Sequence, residues 1–120
     1  MHQVVFHIDE LGKWEHALGN VKNLISYAKA QQMSYQIVVL VNGNAIMGYL
    51  VANIRIAIKS LTEQGVQFHA CNNAMNSHGV KANQLPENVE IVPAGVVDLI
   101  ALQERGVCVC ETVESAKSRG

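Results

Sequence analysis

The run Ile-Val-Val-Leu-Val at residues 37–41 constrains the fold of this chain more than any other stretch. It forms the centre of a predicted strand at residues 36–41, and it is apolar at every position. A strand with one solvent-exposed face alternates apolar and polar residues, whereas a strand buried on both faces does not. The run therefore predicts a strand buried on both sides, as in a parallel sheet with helices on both faces.

Short apolar runs predict four further strands, at residues 4–8, 66–71, 89–92 and 107–110. The segments at 14–28, 45–62 and 96–104 repeat apolar residues every three or four positions, which is typical of helices, and a short helix is predicted at 73–78. This alternation forces parallel pairing through right-handed crossovers. The predicted fold is α/β: a three-layer α/β/α domain with a five-stranded parallel sheet in the flavodoxin-like order 2-1-3-4-5.

Length and charge limit the classes of function. At 120 residues the chain suits a single domain, at residues 1–110, followed by a polar C-terminal tail at 111–120. Nine Lys and Arg against ten Asp and Glu, with no basic run, predict no nucleic acid partner. No segment approaches the roughly 20 apolar residues of a membrane span, and the N-terminus lacks a secretory signal. A cytoplasmic protein with no membrane contact is expected.

Cys71 is the candidate reactive residue. It ends the third predicted strand, and Asn72 and Asn73 after it begin a helix. Backbone N–H groups and the helix dipole at such a junction favour the thiolate, which is the nucleophilic form. The alternative is a packing role, because free cysteine is among the residue types most often buried. Both interpretations are open at this point.

Two histidines are candidate partners of Cys71. Ligands of doubly wound folds bind beyond the carboxyl ends of the strands, near the point where strand order reverses. In the flavodoxin-like order the first and third strands are neighbours, so His7 would approach Cys71. His69 lies on the same strand face as Cys71. A nearby imidazole holds a thiolate at neutral pH, but a histidine on a strand is also compatible with a satisfied position in or beside the core.

The same edge of the sheet offers a possible site for a small anion. Asn42, Gly43 and Asn44 follow the second predicted strand, and Gly95 follows the fourth. The start of a helix at this turn suits an anionic ligand. A plain turn explains residues 42–44 equally well.

The other two cysteines form the pair Cys108-x-Cys110 on the last predicted strand. No second pair of ligands stands at a zinc-binding spacing, so no metal is expected. The spacing along an extended strand also suits a mutual disulfide poorly. Cys108 is assigned to packing, and Cys110 to packing or to a resolving thiol. The sequence contains no phosphate-binding glycine motif or nucleophile elbow, and no cofactor is expected.

Four segments together resemble the DsrE/DsrF-like family, the small sulfur-relay proteins of YchN-like fold. They are VVFHIDELGKWEHALGNVKNLI, IVVLVNGNAI, GVQFHACNNAM and IVPAGVVDLIALQERGVCV. The resemblance runs through about Val109. Its most specific part is the cysteine segment followed by VPAG and by the pattern L-x-x-L-Q-x-x-G at residues 99–106.

The resemblance implies a sulfur-relay role for this chain. It implies a five-stranded parallel α/β domain that assembles as a homotrimer or homohexamer. Cys71 would accept sulfane sulfur as a persulfide and relay it between donor and acceptor proteins, as an intracellular sulfur carrier of sulfurtransferase type. The alternative is a non-catalytic small-ligand-binding or assembly domain of the same fold, in which Cys71 is a packing residue.

Overall fold

A computed structural model describes residues 2–111 as a parallel sheet with helices on both faces. The strands are β1 (His2–Ile8), β2 (Tyr35–Val41), β3 (Gln67–Cys71), β4 (Glu90–Val92) and β5 (Cys108–Glu111). The α-helices are α1 (Trp14–Ala30), α2 (Ala52–Glu63), α3 (Asn72–His78) and α4 (Gly95–Glu104), and 3₁₀ helices lie at Leu11–Lys13, Gly43–Leu50 and Ala82–Gln84. Each strand pairing is parallel. The α/β prediction is confirmed. Apart from Glu111, the predicted tail lies outside the described residues.

The order of the strands differs from the prediction. It is β4-β3-β2-β1-β5, so the flavodoxin-like order is wrong. The run at residues 37–41 supplies the physical reason, because all five side chains are buried and a strand buried on both faces belongs in the centre of a sheet. The flavodoxin-like order would place β2 at an edge. The edges are instead the two shortest strands, β4 and β5, with three and four residues.

Two apolar cores lie on opposite faces of the sheet. The larger core joins alternate residues of the central strands to α1, α2 and α3, and it includes Val39, Phe68, Trp14, Leu61 and Met75. The smaller core lies under α4 and contains Val5, Val38, Leu40, Val92, Leu102 and Val107. The connection from β4 to β5 runs back across the sheet, so its right-handed crossover places α4 on the second face.

The helix predicted at 45–62 is broken. The 3₁₀ helix Gly43–Leu50 and α2 meet at an angle of 89°, with Val51 in an extended conformation between them. Trp14 holds the first piece in place, since its indole N–H donates to the carbonyl of Ala45 at 2.7 Å and its ring packs edge-on against Tyr49. The single-helix prediction is therefore wrong, because these tertiary contacts override the helical spacing.

The broken helix also bears on membrane spanning. Within residues 2–111, no single helix is long and apolar enough to cross a membrane. The bent pair formed by Gly43–Leu50 and α2 meets those criteria only when its two pieces are taken together.

Candidate functional site

Cys71 lies where two neighbouring strands send the chain to opposite faces of the sheet. It is the last residue of β3, after which α3 packs into the larger core. The adjacent strand β4 leads into α4, which packs on the other face. Ligands of open parallel sheets bind in the crevice formed at such a point. The topology therefore places the switch point between β3 and β4, not between β1 and β3 as predicted, and Cys71 lies beside it at the end of β3.

Two backbone N–H groups donate to the sulfur of Cys71. The N–H of Gly95 lies 3.2 Å from Sγ, and the N–H of Ala74 lies 3.5 Å from it. Cys71 is itself the N-cap of α3, and Gly95 is the first residue of α4. N–H groups at helix starts carry partial positive charge and stabilise an anion placed against them. The surroundings of the sulfur thus suit negative charge.

The same contacts cover the thiol. Cys71 is only 5% exposed, whereas Cys108 is exposed and Cys110 is partly exposed, and none of the three forms a disulfide. The start of α4 that contacts the sulfur is close to solvent, because Val96 and Val97 directly after Gly95 are 66% and 58% exposed. Cys71 is thus buried next to a helix start that borders solvent.

His7 is connected to the site through Asn42. Strand β2 separates β1 from β3, and the register pairs Leu40 with both His7 and His69, so the predicted adjacency of β1 and β3 is wrong. The Nε2 atom of His7 lies 2.9 Å from Oδ1 of Asn42. Asn42 in turn packs against Gly95, where an added Cβ would lie 2.6 Å from Nδ2 of Asn42. A chain of successive contacts thus links His7 to Cys71 across the carboxyl ends of the strands, through Asn42 and Gly95.

His69 binds α4. Its Nδ1 lies 2.8 Å from Oδ2 of Asp98, and its Nε2 lies 3.9 Å from Oε1 of Glu90. The side chain is 8% exposed. These contacts fit the interpretation of a satisfied buried histidine, and a role as a base toward Cys71 stays a prediction. Asp98 was not predicted as a partner of His69, although an acidic residue in the first turn of the helix that follows β4 was a usable signal.

The asparagines after Cys71 lie at the surface. Asn72 and Asn73 are exposed in the first turn of α3. The donors to the sulfur described above come from the backbone, so hydrogen bonding by these two side chains stays a prediction.

The turn after β2 contacts the segment that follows β1. Oδ1 of Asn44 accepts the N–H of Leu11 at 2.7 Å. Gly43 has a φ of +56° and lies against the carbonyl of Asp9, where a Cβ would clash. The structure thus gives Gly43 and Asn44 contacts that join two loops, and their anion-binding role stays a prediction.

Tyr49 holds the backbone of β3 at His69. Its hydroxyl donates to the carbonyl of His69 at 2.9 Å. Burial raises the pKa of Tyr49 well above its ordinary value, because a phenolate would lose its hydration there. The phenol therefore remains a donor at neutral pH.

Cys108 and Cys110 lie apart from Cys71, on the edge strand β5. Cys108 and Cys110 line a cleft of about 580 Å³ beside Phe6 and Leu24. Strand β5 lies three strand spacings from β3, about 14 Å, so a direct disulfide between Cys110 and Cys71 of one subunit does not fit the fold. Within residues 2–111, no three His, Cys, Asp or Glu side chains are grouped to hold a metal ion.

The sequence model of the DsrE/DsrF-like family matches residues 30–110, which is more than half of the chain. The chain belongs to the DsrE/DsrF-like family. This confirms the family that the four segments predicted. A comparison of this DsrE/DsrF-like chain with curated proteins finds no match.

Solved structures share the fold of this DsrE/DsrF-like domain. A protein of unknown function from Methanobacterium thermoautotrophicum, MTH1491, is 28% identical with a TM-score of 0.81, over 92% of this chain and 99% of that one. The ychN protein from E. coli is 19% identical with a TM-score of 0.69, over 92% and 100%. A protein of unknown function from Bacteroides thetaiotaomicron, BT1422, is 14% identical with a TM-score of 0.65, over 91% and 93%. The last two show the fold alone.

Proposed function

We propose that this protein is a sulfur carrier of sulfurtransferase type, in which Cys71 holds sulfane sulfur as a persulfide. The observation that carries the proposal is the pair of N–H groups, from Gly95 and Ala74, that donate to one sulfur atom. Both an attacking thiolate and a persulfide carry negative charge, which such donors stabilise. Membership of the DsrE/DsrF-like family, which is broadly linked to sulfur relay, supports the same chemistry.

The transfer is an exchange between sulfur atoms. The thiolate of Cys71 attacks the terminal sulfur of a donor persulfide, a new S–S bond forms at Sγ, and the donor leaves as a thiolate. An acceptor thiolate then attacks the terminal sulfur on Cys71, and the Cys71 thiolate is regenerated. The sulfane sulfur keeps its oxidation state throughout, so neither step needs an external oxidant or reductant.

The supporting residues act mainly through the backbone around the sulfur. His69 holds Asp98 of α4 and so keeps the start of that helix over Cys71. His7 acts through Asn42, which packs against Gly95. Asn72 and Asn73, exposed beside the sulfur, contact the incoming donor.

The partners are a donor protein with a persulfide and an acceptor protein with a thiol, in the cytoplasm. The chain assembles as a homotrimer or homohexamer. Helix α4 supports this assembly, because Val96, Val97 and Ile100 expose 66%, 58% and 51% of their surface in adjacent turns. Contiguous apolar patches of this kind mark protein contacts.

The second candidate is a non-catalytic small-ligand-binding or assembly domain in which Cys71 is a packing residue. Its support is the 5% exposure of Cys71. A thiol that never opens to solvent does not exchange sulfur, and replacement by alanine would then change only packing.

Mass spectrometry with residue resolution separates the two candidates. The reduced protein is exposed briefly to a small persulfide donor and then to an acceptor thiol. We expect Cys71 to gain one sulfur atom and to lose it to the acceptor, and Cys71→Ser to remove this signal. The control is Cys108→Ser with Cys110→Ser, which should load as the wild type does. A wild-type protein that leaves Cys71 unmodified would exclude the carrier role and support packing.

A further inference from the structure

Asn42 lies next to Gly95, whose N–H is the nearer of the two donors to the sulfur of Cys71. The N–H of Gly95 lies 3.2 Å from Sγ of Cys71. A Cβ added to Gly95 would lie 2.6 Å from Nδ2 of Asn42 and 3.2 Å from its Cβ. The Asn42 amide therefore fills the position that a side chain at residue 95 would take, next to the switch point between β3 and β4.

His7 sets the direction of that amide. A primary amide has one acceptor oxygen and one nitrogen with two donors. The Oδ1 atom of Asn42 lies 2.9 Å from Nε2 of His7, and because an amide oxygen only accepts, the N–H of His7 is the donor in this hydrogen bond. With the oxygen held by His7, the nitrogen and its two donors lie on the side of Gly95.

We propose that Asn42 binds the terminal sulfur of a persulfide on Cys71, and that His7 is the positioning residue that holds Asn42 in this orientation. The inference rests on the proposed sulfur-carrier function. A persulfide places its second sulfur about 2 Å beyond Sγ. The N–H groups of Gly95 and Ala74 already serve Sγ, so the terminal sulfur, which bears the charge, needs a donor of its own. The Nδ2 group of Asn42 supplies it from the adjacent position.

The decisive variant is Asn42→Asp, which keeps the size of the side chain and replaces the donor nitrogen with an acceptor oxygen. We expect the fraction of Cys71 that holds a persulfide, at a fixed donor concentration, to fall about tenfold or more, because a hydrogen bond to a charged group is lost and repulsion takes its place. Asn42→Ala removes the donor without a new charge and should reduce loading in the same direction.

The matched control is Asn23→Asp in α1. Asn23 is exposed in the middle of a helix away from the switch point, so this variant makes the same chemical change where no persulfide binds. It should load as the wild type does. His7→Gln retains a donor for Asn42 and should preserve most loading, whereas His7→Leu should reduce it.

The alkylation rate of Cys71 is measured in parallel, because it would change if Asn42 had only a structural role. Alkylation of the unloaded Cys71 involves Sγ alone, so its rate in Asn42→Ala should stay within about twofold of the wild type while persulfide loading falls. Loading of Asn42→Ala at the wild-type level would overturn the role of Asn42, even if Asn42→Asp fails to fold, and would leave the carrier function intact. Loading of a Cys71→Ser protein, or none in the wild type, would instead reject the carrier function itself.

Discussion

At the scale of single residues, Gly95 meets two demands that no other residue type meets at this position. Its N–H serves the sulfur of Cys71, and its missing side chain leaves room for the Asn42 amide. The requirement is one of close approach, since the added Cβ would overlap Asn42. Both contacts therefore require a glycine at this helix start.

We predict that Gly95→Ala impairs both stability and sulfur loading. The new methyl group displaces Asn42 or the Gly95 N–H, and overpacking of this kind costs about 1–3 kcal/mol. Loading of Cys71 should fall about tenfold, as measured by mass spectrometry, and urea unfolding gives the stability. Gly19→Ala in α1 is the control, because a Cβ there meets nothing within 4 Å. Equal behaviour of the two variants would contradict the role assigned to Gly95.

At the scale of elements, the 3₁₀ helix Gly43–Leu50 links the site to the core. Its N-terminal end follows Asn42, and its middle is held by Trp14 through Ala45 and Gly48. Its last turn carries Tyr49, whose hydroxyl holds the β3 backbone at His69. This element therefore connects the ends of β2 and β3 on the side of the larger core.

Gly48→Ala tests this anchoring. The added methyl group would overlap the Trp14 indole, so we expect a loss of about 1–3 kcal/mol in the free energy of unfolding. The cost should be smaller in a Trp14→Phe background, because a phenyl ring is smaller than an indole. Urea unfolding of the wild type, both single variants and the double variant measures this coupling. An equal cost of Gly48→Ala in both backgrounds would show that Trp14 is not the obstacle.

The sequence predicts those features that are local. The pattern of adjacent residues predicts the strand that ends at Cys71 and the helix that follows it. The apolar run at 37–41 likewise predicts a strand buried on both faces. The central position of β2 could also have been predicted, because the flavodoxin-like order puts this doubly buried run at an edge of the sheet.

The features that the sequence did not predict depend on residues far apart in the chain. Apolar spacing continues through residues 45–62, and the break appears only because Trp14 contacts Ala45 from 31 positions away. The Gly95 N–H reaches Cys71 across 24 positions, and Asp98 reaches His69 across 29. No local pattern marks such contacts. The sequence thus predicts the helix start after Cys71, where the Ala74 N–H donates to the sulfur, but not the Gly95 N–H that approaches the sulfur from α4.

At the scale of the whole molecule, the two faces of the sheet are unequally covered. Two long helices lie on one face, and α4 with ten residues lies on the other. The outer surface of α4 is apolar, and the start of this helix covers Cys71. Assembly through α4 would therefore place a second subunit beside the sulfur.

We predict that Ile100→Lys weakens the assembly. A charge placed in the exposed apolar surface of α4 must be desolvated on contact, so the proposed homotrimer or homohexamer should dissociate toward smaller species. Size-exclusion chromatography with light scattering gives the mass. Ile56→Lys is the control, because Ile56 is 70% exposed on α2, across the sheet. A monomeric wild type, or an unchanged mass for Ile100→Lys, would contradict the prediction.

The distance in sequence between Cys71 and Gly95 has a consequence for synthesis. A nascent chain emerges N-terminus first, so β1, β2 and β3 can pair before residue 95 emerges. Until then Cys71 lacks the Gly95 N–H, and the apolar side chains of Val38 and Leu40 lack the cover of α4. The Gly95 contact to the sulfur and the cover on the second face are therefore completed together, when α4 docks. A chain interrupted before residue 95 leaves this apolar face of the sheet uncovered and is prone to aggregate.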